Sequence, residues 1–372
     1  MVDSNIHCVI DNGSGFIKAG FSGEESPRHY FPSITGHTKV EGIYLSEEQK
    51  ESLVGTEAQK KFGILNISYP IQECRIVNWD DISKIWHHTF YNELKVAPEE
   101  HNVLLTESPY NTRREREQIA EMMFETFNSP CIYLSPQSVL ATYAVGKSTG
   151  LMIDCGEGST NFSPIYEGLL MRASVTHIPI AGKMIFEFLV KKLIENKQCL
   201  DSKNQKNGCK KVKERLCYIA QDFESEIKTN IENSSHKLPD GSIIQISKEK
   251  ILAGEILFNP KQFEIESKSL QESFMDSIKL TDSDLREDMF KNILFNGGTS
   301  LMKGFKDRVG KEINKVSEDY KCKKKVHVYP EAQFLAWIGG SVLTSLGTFQ
   351  NIWVTKQEYK ESGVNIVHKK CF

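Results

Sequence analysis

Asp11-Asn12-Gly13-Ser14-Gly15 and Asp154-Cys155-Gly156-Glu157-Gly158 share one pattern: an acid, a spacer, then two glycines separated by one residue. Glycine permits positive φ and lets backbone N–H groups come close to an anion, so two such turns facing each other can hold a polyphosphate. A carboxylate just before each turn can hold a hydrated divalent cation, because Mg²⁺ keeps most of its waters and takes few carboxylates. Gly13 and Gly15 offer backbone donors, Ser14 a hydroxyl, and Lys18 an ammonium that reaches a phosphate as a point charge. One such phrase occurs in ordinary hairpins; two copies, one followed by Lys, favour phosphate binding. Asn296-Gly297-Gly298-Thr299 is a third glycine turn, which offers further amides or room for a base, or is a plain strand-to-helix turn. Gln137, after Pro136, can orient a water without being a strong base, or simply open a helix. These residues alone point to a two-lobed nucleotide binder.

The elements that must position them are legible nearby. His7-Cys8-Val9-Ile10, Leu151-Met152-Ile153 and Ile293-Leu294-Phe295 are apolar runs with strand character, each ending in one of the glycine turns. Asn78-Trp79-Asp80-Asp81 reads as a capped helix start, with Ile82, Ile85, Trp86 and Phe90 following at helical spacing. Further helices are expected from Thr112 to Phe127, with Ile119, Met122 and Met123 inward, and from about Gly182 to Asn196. A loose polar stretch is expected from Gly36 to Glu51. Strands alternating with helices over 372 residues predict an α/β protein of two domains.

A net charge of −3 gives no electrostatic case for direct nucleic-acid binding or an anionic membrane surface. Met1-Val2-Asp3-Ser4 lacks the features of a signal peptide. The uncharged stretch from Ala332 to Thr355 is interrupted by polar residues and reads as a buried helix and turn, with no membrane insertion. Nine dispersed cysteines argue for a reducing compartment; most are expected to be buried, with Cys371 exposed. The lysine-rich run from Asn196 to Lys213 and the Lys321-Cys322-Lys323-Lys324-Lys325 cluster read as solvated helix–loop connections rather than basic binding patches.

Over essentially its whole length the chain resembles actin. The resemblance is carried by Asp11 to Gly15 with Lys18-Ala19-Gly20-Phe21, by Asn78 to Asp81, and by Ile85 to Leu94 with Val96 to His101. It continues through Phe124 to Asn128, Pro164 to Gly168 and Trp337 to Ser341, and ends in Ile366-Val367-His368-Lys369-Lys370-Cys371-Phe372. The resemblance implies the fold shared by actin, hexokinase and heat-shock chaperone ATPases: two α/β lobes with ATP or ADP and Mg²⁺ or Ca²⁺ in the cleft between them. Its four subdomains would be 1–32 with 70–144 and 335–372, then 33–69, then 145–180 with 266–334, then 181–265. Ser14, Gly15, Lys18, Gly156, Glu157, Gly158 and the turn Gly297, Gly298, Thr299 stand at phosphate and nucleotide contacts. Lys210, Lys213, Glu214 and Met302 stand toward the adenosine, and Asp11 and Asp154 at the cation's water shell. Gln137 would position the attacking water, beside Asp154 and Asn161.

Several positions depart from the actin pattern. Glu157 stands for Asp, Asn161 and Glu73 for His, Met302 for Tyr, Gln333 for Lys and Lys210 for Arg. The mobile loop expected at 39–50 carries Tyr44 and Glu47 in place of two methionines, and the acidic N-terminal tail keeps only Asp3. The internal plug reads Gln262-Phe263-Glu264-Ile265. The resemblance implies a slow ATPase of the cytoskeleton that self-associates into filaments in the cytoplasm, supports motility and cell structure, and meets actin-binding proteins at a cleft of Tyr143, Leu343 and Leu346. The alternative is a non-polymerising actin-related subunit of a larger complex, including a nuclear one, with ATP as a structural cofactor. A small-molecule kinase on this fold would need a carboxylate base and a substrate pocket in the cleft.

Overall fold

The repeated phrase is a repeated topology. In a computed structural model, which describes residues 6–38, 52–198, 200, 202–229 and 231–371, Cys8–Asn12 pairs antiparallel with Phe16–Phe21 and, on its other side, parallel with Val103–Glu107. Gly150–Cys155 does the same with Thr160–Tyr166 and Ile293–Asn296. Each hairpin therefore opens a mixed sheet. The first runs Val354–Thr355, Cys131–Pro136, Val103–Glu107, Cys8–Asn12, Phe16–Phe21, His29–Pro32. The second runs Leu169–Leu170, Thr160–Tyr166, Gly150–Cys155, Ile293–Asn296, Val326–Val328. Val9, Ile10, Leu151, Met152 and Ile153 are fully buried, as central strands covered on both faces require.

Parallel neighbours need long crossovers, and helices supply them. Trp79–His87 is capped by the Asn78 side chain, which accepts from the Asp81 N–H, and buries Ile82, Ile85 and Trp86 as expected. Arg113–Glu121 opens with a Thr112/Glu115 capping box, and a wide turn carries it on through Thr126. Gly182–Glu195 matches the third expected helix. Two helices carry the chain between sheets: Gln137–Ala144 outward and Leu335–Ser345 back. They touch at backbone level, since a Cβ on Gly339 would lie 1.8 Å from the Leu140 carbonyl oxygen. Such contact admits no side chain, so the two helices cross at the closest approach their backbones allow.

Some expectations need correction or restriction, and one holds. Thr35–His37 is a strand, so Gly36 belongs to a small three-stranded sheet around Ile34, Leu53 and Leu65; the loop at 39–50, with Asp3 and Cys199, lies outside the described residues. The lysine-rich run contains the helix Lys203–Leu216, in keeping with a helix–loop connection, but Lys213 turns inward rather than to solvent. Cys371 is buried, because the Ile366–Lys370 helix tucks the C-terminal end beneath the first sheet. There the Arg116 guanidinium donates to the Cys371 carbonyl at 2.8 Å, and burial pushes the thiol up to about 12. The Ala332–Thr355 stretch forms the Leu335–Ser345 helix and a 3-10 turn, Gly347–Asn351; no helix among the described residues is long and apolar enough to cross a membrane.

Candidate functional site

The two hairpin tips press against each other. A Cβ on Gly15 would lie 2.8 Å from the Glu157 Cβ, and one on Gly158 would lie 2.6 Å from the Ser14 Oγ. Each tip thus uses a glycine to admit a side chain of the other, which only a residue without Cβ allows. Ser14 Oγ also accepts from the Cys74 N–H at 3.0 Å, so a third segment locks the junction. Glu73 and Cys74 both have positive φ, +47° and +63°, in the two-residue turn joining Ile71–Gln72 to Arg75–Ile76. That mirror-image turn usually takes Asn-Gly, so this pair is strained.

Below the first tip, Asp11 is almost fully buried and fully partnered. Its Oδ2 meets Lys18 Nζ at 2.7 Å, directly across the hairpin register, while Oδ1 accepts from Thr106 Oγ1 and Gln137 Nε2, both at 2.8 Å. Gln137 Nε2 also reaches the Asn12 carbonyl at 3.1 Å, which fixes the amide's orientation because both neighbours can only accept. Gln137 Oε1 accepts no bond from the described residues and lines the cleft.

Below the second tip, Asp154 is buried with one donor, Asn296 Nδ2 at 2.9 Å. Burial raises its carboxyl to about 6; Lys18 pulls it down, the charge of Asp11 pushes it up, and the Asn296 bond pulls it down again. Asn296 Oδ1 is buried without a partner. Gly297, at φ +88°, lies against the Cys155 carbonyl and Asp154 Oδ1, so the third glycine turn is packed directly on the second hairpin. Thr299 Oγ1 donates to the Gly156 carbonyl at 2.8 Å.

The second hairpin also seats a helix. The Gly156 and Glu157 carbonyls accept from the N–H groups of Gly182 and Lys183, at 3.0 and 2.9 Å, satisfying first-turn donors that no side chain caps. Lys213 Nζ bridges the Gly182 carbonyl at 3.0 Å and Glu157 Oε2 at 3.4 Å.

Together these groups line a cleft of about 380 Å³. It brings together Asp11, Gly13, Ser14, Gly15, Lys18, Gln137, Asp154, Gly156, Glu157, Gly158, Lys213, Glu214, Gly297, Gly298, Thr299 and Met302, all named from sequence. Asn161 and Lys210 stand behind this lining. Asn161 Oδ1 accepts from Ser159 Oγ at 3.0 Å and its Nδ2 reaches Cys74 Sγ at 3.6 Å. Lys210 packs over the Phe186 ring, and burial lowers its ammonium. Thr106, Cys74, Asn296, Phe16 and Tyr30 take part without having been assigned roles from sequence. Tyr30 could have been found by register, since it lies directly opposite Lys18.

The donor set fits a triphosphate with a hydrated cation. Gly156 and Gly298 leave open space where a Cβ would stand, nothing lying nearer to the first than 3.8 Å. Among the described residues there is no group of three or more His, Cys, Asp or Glu that could hold a metal ion. The model of the actin family matches residues 2–372. The chain belongs to the actin family. The mixed α/β architecture agrees with that membership. Actin-family proteins typically bind ATP or ADP with a divalent metal and are generally ATPases, so the cleft is that of an actin-like ATP-binding protein.

Proposed function

We propose that this actin-family protein holds ATP with Mg²⁺ between its hairpins and hydrolyses it slowly, in step with assembly into filaments. One observation carries the reading: the hairpins meet tip to tip over a cleft in which the Gln137 amide is oriented by Asp11, with Oε1 left to accept from a water. Bound Mg²⁺ supplies neutralisation of the polyphosphate charge. Lys18 and the hairpin amides grip the phosphates, Asp11 and Asp154 hold the cation's water shell, and Lys213, Glu214 and Met302 face the nucleoside. Gln137 orients a water but takes no proton, and Asn161 is an amide already engaged by Ser159 and Cys74. Because Gln137 orients the water without taking its proton, slow turnover is expected.

Support for partner docking comes from the surface around the crossing helices, where Tyr143 is half-buried and Leu346 is 47% exposed. The eight described cysteines are all free, which suits the cytoplasm and its cytoskeleton. A second reading, a non-polymerising subunit of a larger assembly, draws on the turn Pro260–Phe263. That turn folds back so that Phe263 packs edge-on against Phe188, with ring centroids 5.2 Å apart, and is committed to its own subunit.

Sedimentation in Mg-ATP across a concentration series, with phosphate release followed in parallel, tests the proposal. A pellet above a sharp critical concentration, with phosphate released, is the expected result. Bound ATP with no pellet at any concentration would overturn the filament function and leave the subunit reading.

A further inference from the structure

Tyr30 sits on the edge strand of the first sheet, directly opposite Lys18, so the two side chains share the face that looks into the cleft. Its ring stacks on Phe16 at 4.3 Å and 14°, and Phe334 meets it edge-on at 5.7 Å and 87°. Two aromatic neighbours would ordinarily bury such a ring, yet Tyr30 remains 44% exposed. The phenol reaches far enough across the cleft to feel Glu214 and Glu157 of the other lobe. Burial first, then those two carboxylates, push its pKa up and keep the hydroxyl a donor. Leu301, Met302, Gln333 and Glu214 line the same cleft.

A flat, partly exposed aromatic face with soft aliphatic side chains and polar groups in the same lining suits a planar heteroaromatic ring. Stacking of a base on an aromatic side chain needs only the π-face, and here Phe16 behind and Phe334 beside Tyr30 hold that face in place. We propose that Tyr30, backed by Phe16, is the platform on which the nucleobase of the bound nucleotide stacks, so that the first lobe grips the base as well as the phosphates. This rests on the nucleotide reading of the cleft. It makes Tyr30 a binding and specificity residue: the larger purine face gains more from the stack than a pyrimidine. It also couples base occupancy to lobe closure, because the platform belongs to one lobe and Glu214 and Met302 to the other.

Titration calorimetry of wild type, Tyr30→Phe and Tyr30→Ala with ATP, CTP and inorganic triphosphate separates the possibilities. Wild type should bind ATP about tenfold more tightly than CTP. Tyr30→Ala should lose about tenfold for ATP while triphosphate binding stays unchanged, and Tyr30→Phe should keep the ATP affinity. Because Tyr30 is partly exposed and on an edge strand, the Ala variant should fold; the Phe variant guards the conclusion if it does not. Equal ATP affinity in wild type and Tyr30→Ala overturns the platform while leaving the nucleotide reading intact. Parallel losses for ATP and triphosphate overturn it too, since they indicate a general distortion. Failure of wild type to bind either ligand overturns both.

Discussion

Replacing Gly158 by Ala tests whether tip-to-tip contact of the hairpins sets the nucleotide site. The added Cβ would stand 2.6 Å from Ser14 Oγ, 2.9 Å from Ser14 Cβ and 3.1 Å from the Glu73 backbone nitrogen. Ordinary carbon contacts lie at about 3.5–4.0 Å, so the shortfall is about 1 Å. Ser14 cannot simply turn away, because its Oγ holds the Cys74 N–H. Sliding is blocked from the other side, where Gly15 lies against Glu157. The relief left is for the tips to part. Forcing a methyl into such a junction costs about 1–3 kcal/mol, equivalent to about 5- to 150-fold in affinity for a ligand that needs the tips closed. Calorimetric titration with ATP reads this directly. Gly156→Ala is the internal comparison: its Cβ meets nothing nearer than 3.8 Å, so the ligand-free protein should melt as wild type does. A Gly158→Ala protein with wild-type ATP affinity and wild-type melting would refute the reasoning, because the junction would then tolerate a side chain.

Two further outcomes follow from buried ionisable groups. Asp154 has its folded pKa raised to about 6, above the value of about 4 for an unfolded Asp, so its contribution to stability is complete below pH 4 and lost as pH rises through 6. Asp154→Asn should remove about 3 kcal/mol of that slope from urea denaturation of the ligand-free protein between pH 4 and 7; an unchanged slope would show Asp154 to be solvated. Cys371, held up at about 12 and buried, should resist iodoacetamide in the native protein while the half-buried Cys131 and Cys322 react, with mass spectrometry locating the label; rapid native labelling of Cys371 would place the terminus outside the core.

What could be read from the residues was local. Asn78 followed by two acids announces a helix start from side-chain chemistry alone, and the structure has that cap. The glycine phrases were legible because a hairpin needs its turn residues within a few positions. Cys371 was misread because its burial depends on Arg116 and Leu134, more than two hundred residues away, and a terminal position gives no hint of either. Lys213 sits in a run of lysines whose pattern is that of a solvated helix; only the placement of Glu157 and the Gly182 carbonyl turns this one inward. Thr106 is a lone hydroxyl at the end of an apolar strand, and its bond to Asp11 exists only because parallel pairing brings the two strands side by side.

The two hairpins look alike in sequence and differ in charge, and the register explains how. Asp11 lies opposite Lys18, whereas Asp154 lies opposite Asn161. The position that supplies an ammonium in the first lobe supplies a neutral amide in the second, and that amide is turned toward Ser159 and Cys74. The first acid is therefore neutralised within the protein. The second keeps a burial cost that Lys18 and the Asn296 bond only partly offset, which lifts its carboxyl to about 6. A cation held there with a polyphosphate would offset that cost, and Lys18, whose charge already pulls Asp154 down, lines the same cleft. Two copies with a lysine each would make a symmetric, self-neutralised cleft with less need of a metal. On the proposed nucleotide reading, the missing second lysine is what a metal bound with the nucleotide would make up for.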